Sequence, residues 1–282
     1  MCYHGYMPNS TISENEATGT TKQKYKEIKK AFSSPVVPIF FTYIAPFPDY
    51  FFYITDQITR NVGDARFQSL VSETGDSIRS IIRATMEPGE DYQAWIQKYS
   101  HAPSFYNFQT DNRYIFRMNV ALTFIFIALR ETVKGWAIAA KKLPSYHEQK
   151  TTSPSESPFK ENSPLYEELV TGTDIILKTS TLAPSSANGI EVNLLREFLQ
   201  VCQRDFTRHT KTEEFLIMRV GLEKLILSSL PLFPNLIFSP INVIINLAIK
   251  YPGFPNLLYL LSEEFPTLVM QRMIFSGYML TP

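Results

Sequence analysis

The sequence predicts an all-α protein. Three observations carry the prediction. Apolar residues recur at three- and four-residue spacing in one segment after another. The long apolar runs exceed the usual strand length, which favours helix. Glycines number only 11 in 282 residues, too few for a turn-dense β fold or for glycine-rich phosphate loops.

The elements follow in order. Residues 1–21 are polar, rich in Ser, Thr, Asn and Glu, and are expected to form a disordered tail. Lys22–Phe32 mixes charge with Tyr25, Ile28 and Phe32, the spacing of a surface helix. Val36–Ile58 is a nearly continuous apolar and aromatic run, expected to be a helix kinked at Pro46 and Pro48. Asp64–Thr85 places Phe67, Leu70, Val71, Ile78, Ile81 and Ile82 at helical spacing, with an interruption expected at Gly75. Asp91–Tyr99 reads as a short helix, Asp111–Leu129 as a central one, and Glu131–Lys142 continues or follows it.

Composition then changes. Pro144–Pro164 is polar, rich in Pro and Ser, and reads as a linker. It divides the chain into a first helical region, 22–143, and a second, 165–282. The second resumes at Glu167–Lys178, with further helices expected at Glu191–Arg208, Thr212–Ser229, Ile241–Lys250, Asn256–Glu263 and Pro266–Leu280. In each half an amphipathic helix precedes a long apolar one, and each half carries an Arg-Met pair, Arg117-Met118 and Arg272-Met273. On the residues alone, a duplication and two unrelated helical halves stand equally.

Charge excludes some classes. Lys+Arg and Asp+Glu balance at 27 each, so there is no basic footprint for nucleic acid and no polybasic membrane patch. Leu225–Ile249 lacks charge, but Pro231, Pro234 and Pro240 break it, so buried helices are expected rather than an integral membrane span. Two cysteines make no disulfide framework, and the N-terminus lacks an apolar leader; a reducing, cytoplasmic setting is expected. Cys202 reads as a small core residue. The four histidines do not pair at ligand spacing, so neither metal nor cofactor is expected. A homodimer is left open.

Three clusters could carry chemistry. Glu213-Glu214 opens an apolar helix after His209-Thr210-Lys211-Thr212, with Thr210 or Thr212 as its cap. Helix capping and the macrodipole account for such acids in most proteins; the alternative is a general base at a pocket mouth. Asp111-Asn112-Arg113-Tyr114 begins another apolar segment, with Asp111 as N-cap or the group as a polar set that orients water or substrate. Arg117, Arg219 and Arg272 sit in apolar helices and must snorkel, pair or face an anion. Glu223, four residues after Arg219, supports an ordinary helical pair there.

The order of these parts resembles the DehI-type, or group I, 2-haloacid dehalogenases. The residues that carry the resemblance are Tyr25-x-x-Ile28-Lys29, Pro35-Val36-Val37-Pro38, and Ala45-x-Phe47-Pro48-x-Tyr50. Asp111–Tyr114, Glu214-Phe215 and Gln271-Arg272 extend it. It covers most of the chain from Lys22 onward. It implies two related helical repeats packed as a pseudo-dimer with a pocket between them. It also implies a carboxylate that activates water to displace halide from carbon 2 of a short 2-haloacid. The family's aspartate falls on Glu214, its water-orienting asparagine on Asp111 or Asn112, and its tyrosine on Tyr114. Its pocket wall falls on Val36 and Ile39, aliphatic here where the family has large aromatics. Glu213, and arginines such as Arg272, would set the charge around a substrate carboxylate. The alternative is a non-catalytic protein that keeps the fold and binds an apolar or lipid-like small molecule.

Overall fold

Prolines start some of the helices and polar caps start others. In the computed structural model, which describes residues 11–139 and 189–280, every named element is helical. The one extended pairing among the described residues is an isolated bridge, in which Ile138 N–H donates to Ile237 O at 2.8 Å. The all-α expectation holds.

Helix α1, Gly19–Ala31, buries Tyr25 and Ile28. Residues 11–18, expected to belong to a disordered tail, lie against it. The Tyr25 hydroxyl donates to Ile12 O at 2.5 Å, and the Glu14 carboxylate accepts from Lys29 Nζ and from Val37 N. Apolar Ile12 and Ala17 contribute to the core, a contribution that the polar composition concealed.

The apolar run after Pro38 is two helices rather than one kinked one: α2, Phe40–Ile44, and α3, Pro48–Val62. Proline removes a ladder donor and disfavours helical backbone in the residue before it. Phe47, before Pro48, accordingly leaves the helix at φ −112, ψ 73.

Helix α4, Ala65–Thr85, starts on Asp64, which caps Arg66 N at 2.9 Å. It runs uninterrupted through Gly75, against which Phe116 and Val120 pack. Helix α5, Glu90–Tyr99, follows.

The expected helices at Asp111–Leu129 and Glu131–Lys142 are replaced by one 31-residue helix, α6, Pro103–Val133. Asp111 therefore stands mid-helix and caps nothing; proline at the first turn starts the helix two turns earlier. Residues 118–129 are buried on every side, as expected for a helix that is apolar all round. Lys134 and Gly135 end α6: Gly135 takes φ +96, its N–H bonds Thr132 O, and Trp136 N–H bonds Glu131 O.

The linker at 144–164 and the helix expected at Glu167–Lys178 lie outside the described residues. Helix α7, Gly189–His209, and α8, Glu213–Ser229, come next, and α8 is capped by Thr212, which accepts from Phe215 N. A short 3-10 turn, Leu230–Leu232, closes α8. Then come α9, Ile241–Lys250, and α10, Phe254–Tyr259. A π-helical turn, Leu260–Glu264, leads directly into α11, Phe265–Tyr278. Pro266 has no N–H to return to the preceding turn, which explains the wider ladder there. No helix among the described residues is long and apolar enough to cross a membrane.

Helices α6 and α11 run antiparallel and form the most extensive contact. Helix α4 packs on α6, α8 and α11, α5 packs on α7, and α1 packs on α3. Asp49 at the start of α3 meets Lys250 and Tyr251 at the end of α9.

Candidate buried polar site between α6 and α11

The interface of the two most apolar helices is not dry. Gln109, Asn112, Asn119 and Thr123 share one face of α6, and all are buried. Gln109 Nε2 donates to Met279 O at 3.0 Å and Asn112 Nδ2 to Ser276 O at 3.2 Å. Asn119 Nδ2 donates to Ser276 Oγ at 3.0 Å. Thr123 Oγ1 lies 2.7 Å from Asn119 O and 3.1 Å from Val269 O. Arg272, on the turn of α11 before Ser276, is fully buried, and its guanidinium carbon lies 5.9 Å from the Phe40 ring centre of α2.

Two acceptors in this seam are unused. Asn112 Oδ1 and Asn119 Oδ1 are buried without a hydrogen-bond partner among the described residues. Leaving such an oxygen dry costs about 1–3 kcal/mol, so each is suited to receive a hydrogen from a small guest such as water. A buried cation on α11 and two open acceptors on α6 thus share one interior seam, to which α2 brings Phe40.

The sequence-predicted residues divide. Asn112 and Arg272 belong to the seam. Val36 is buried and Ile39 half-buried in the stretch that leads into α2, the helix that supplies Phe40. Asp111 is half-buried one residue from Asn112. Tyr114 lies on another face of α6 and is 54% exposed. It lines an open cleft of about 410 Å³ with Phe32, Val62, Gln68, Arg117 and Met118. Glu213 and Glu214 are exposed in the first turn of α8. Phe215, the next residue, turns inward onto Phe206, which packs on Phe275 beside Ser276. Tyr114 and Glu214 do not converge. The cleft touches Gln68 near the start of α4, whereas His209, shortly before α8, bonds Glu87 O beyond the end of α4. Helix α4 spans about 30 Å at 1.5 Å per residue.

The expected Arg219–Glu223 pair is not formed. Arg219 donates to Thr267 Oγ1 at 3.2 Å, while Glu223 accepts from Arg130 Nη1 at 2.5 Å and Glu131 from Arg130 Nε at 2.8 Å. Arg130 is the better partner because burial raises the cost of leaving its charge unmatched. Arg117 is exposed.

Sequence reasoning missed Asn119 and Ser276, although 112, 119 and 123 stand at helical spacing. It also missed Asp205. That carboxylate accepts from Gly89 N at 2.7 Å, from Arg208 Nη2 at 2.6 Å and from the Tyr278 hydroxyl, and so joins α5, α7 and α11. Burial, then Asp205, pushes the Tyr278 phenol and the Cys202 thiol up from their ordinary values. Cys202 is a buried free thiol, as expected. No group of three or more His, Cys, Asp or Glu among the described residues is placed to hold a metal.

Comparison with known proteins places this geometry on a known scaffold. No protein-family model matches the chain, and no curated protein matches it in sequence. Solved structures do match over nearly the whole length. A D-2-haloacid dehalogenase mutant in complex with D-2-CPA superposes with a TM-score of 0.66 at 11% identity, covering 96% of this chain and 94% of that one. D-2-haloacid dehalogenase with L-LA gives 0.66 at 10% identity, covering 96% and 94%. The chain has the fold of these dehalogenase structures.

Proposed function

We propose that the protein is a hydrolase of the 2-haloacid dehalogenase kind, of DehI type, in which a carboxylate-activated water displaces halide from carbon 2 of a short 2-haloacid. The observation that carries this reading is the α6–α11 seam: fully buried Arg272 on α11 and, on the facing side of α6, two carboxamide oxygens with no hydrogen-bond partner among the described residues. In it Arg272 steadies the substrate carboxylate and Asn112 orders the water. Phe40 and the Val36–Ile39 stretch wall the halide side. Glu214 is the base in this reading. A layer of Phe206, Phe215 and Phe275 adjoins it on the seam side, so catalysis requires the first turn of α8 to move inward. Tyr114 is assigned a role at the cleft, considered below. The same reading takes 22–143 and 165–282 as related repeats packed as a pseudo-dimer. The pairing of α6 with α11 and of α4 with α8 supports it, as do the placements of α5 on α7 and of α9 beside α3.

The test is halide release from the purified chain with a panel of short 2-chloro and 2-bromo acids of both configurations. Release is expected from the wild type, with loss in Asn112→Ala and Glu214→Gln. Full activity in Glu214→Gln overturns that residue as base and leaves the hydrolase reading standing. No release from any acid, with the protein folded, overturns the hydrolase reading and favours a binding protein on the same fold.

A further inference from the structure

A second site stands apart from the seam. Tyr114, Arg117, Met118 and Ala121 lie on one face of α6, three, four and seven residues from the first. That face looks onto the ends of α1 and α3 across the cleft of about 410 Å³, a volume within the usual range for small-molecule pockets. Phe32, Val62, Met118 and Ala121 make its walls apolar. Its polar lining groups include Arg117, Tyr114, Ser33 and Gln68, and none of the lining residues is acidic.

The charge at this cleft is unmatched. Arg117 has neither an ion pair nor a hydrogen bond among the described residues. Lys24, Lys29, Arg66, Arg130, Arg208 and Lys250 are all paired with carboxylates. Gln68 is held in place by its Nε2–H bond to Val62 O at 2.6 Å. Ser33, on the rim, holds φ +50 in the turn that ends α1.

We propose that this cleft binds an organic carboxylate with an apolar body. The carboxylate accepts hydrogen bonds from the Arg117 guanidinium and the Tyr114 hydroxyl, and the body lies against Phe32, Val62 and Met118. An isolated cation beside apolar walls selects an amphipathic anion over a neutral or cationic molecule of the same shape. The site is independent of the α6–α11 seam.

Calorimetric titration of the full chain with octanoate, octanol and octylammonium tests it. Octanoate is expected to bind at least roughly tenfold more tightly than octanol, as befits a charge-assisted hydrogen bond. Octylammonium should not bind. Arg117→Gln, at an exposed position and so expected to fold as the wild type does, should weaken octanoate by roughly tenfold, and Tyr114→Phe should weaken it less. Halide release by Arg117→Gln, where the wild type shows any, should be unchanged. Octanoate binding that survives Arg117→Gln, equal binding of octanol, or no binding overturns the proposal. Competitive inhibition of halide release by octanoate with loss of its Arg117 dependence would place the ligand in the seam and also overturn it. Absence of halide release bears only on the hydrolase reading.

Discussion

Asn119 donates through Nδ2 to the Ser276 hydroxyl at 3.0 Å, and Ser276 passes its own hydrogen to Met273 O, also at 3.0 Å. This chain ties α6 to α11 at full burial. Asn119→Ala should lower unfolding free energy by about 1–3 kcal/mol. Chemical denaturation of Asn119→Ala, Ser276→Ala and the double variant measures the link. The double should lose less than the sum of the singles; strict additivity would show that the two groups do not support each other.

Gly277 lets α11 pack tightly against Ile82 of α4 and Phe116 of α6. A Cβ there would lie 2.7 Å from Ile82 Cδ1 and 2.9 Å from Phe116 Cε2. Gly277→Ala should therefore destabilise by about 1–3 kcal/mol through overpacking. Ile82→Val removes the nearest atom and should return part of the loss in the double variant. An unchanged melting temperature in Gly277→Ala would refute the tight packing.

Two helices end with the same backbone turn but different residues. After α1, Ser33 N–H bonds Lys30 O and Ser34 N–H bonds Lys29 O; after α6, Gly135 and Trp136 repeat the pattern on Thr132 and Glu131. Both turns place the second residue past the helix end in the left-handed region, at φ +50 for Ser33 and φ +96 for Gly135. Glycine adopts that region without a Cβ penalty. Ser33→Gly should stabilise by up to about 1 kcal/mol, and Gly135→Ala should cost about 1–2 kcal/mol. Thermal unfolding reads both, and shifts of the same sign would contradict the argument.

Asp64 makes stability depend on acid. Hydrogen bonds from the Arg66 side chain and then from its backbone N–H hold the Asp64 carboxyl at about 2, below its ordinary 3.8. Its folded value lies below the unfolded one, so its contribution is complete above pH 3.8 and disappears as pH falls toward about 2. Asp64→Asn keeps a capping side chain without the charge. The melting temperature of the wild type should exceed that of the variant at neutral pH, and the gap should close across that window. A gap that stays constant down to pH 2 would rule out the linkage.

The helices were legible wherever their period and their ends agreed. Ile241–Lys250 was expected and observed with the same bounds, because Pro240 starts it and the apolar spacing continues to Lys250. Asp64 and Thr212 both cap as their residue types suggest. The boundary misses have local causes that compete with period. Pro48 split an apolar run, and Pro103 started α6 before the apolar stretch became visible. The site was legible in part. Asn112 and Arg272 stood out as polar groups in apolar helices; Asn119 and Ser276 did not.

What the chain determined by itself was its helical class, its apolar faces and its caps, because these follow from neighbours three or four residues apart. Only the tertiary structure decided which polar residues meet. Asn112 and Tyr114 are two residues apart, yet at about 100° per residue they leave α6 toward different surroundings, one into the α11 seam and the other into an open cleft. Arg117 faces that same cleft, while Arg272, from the far end of the chain, lies in the interior. Burial and partnership depend on packing between helices more than a hundred residues apart, which no local spacing encodes.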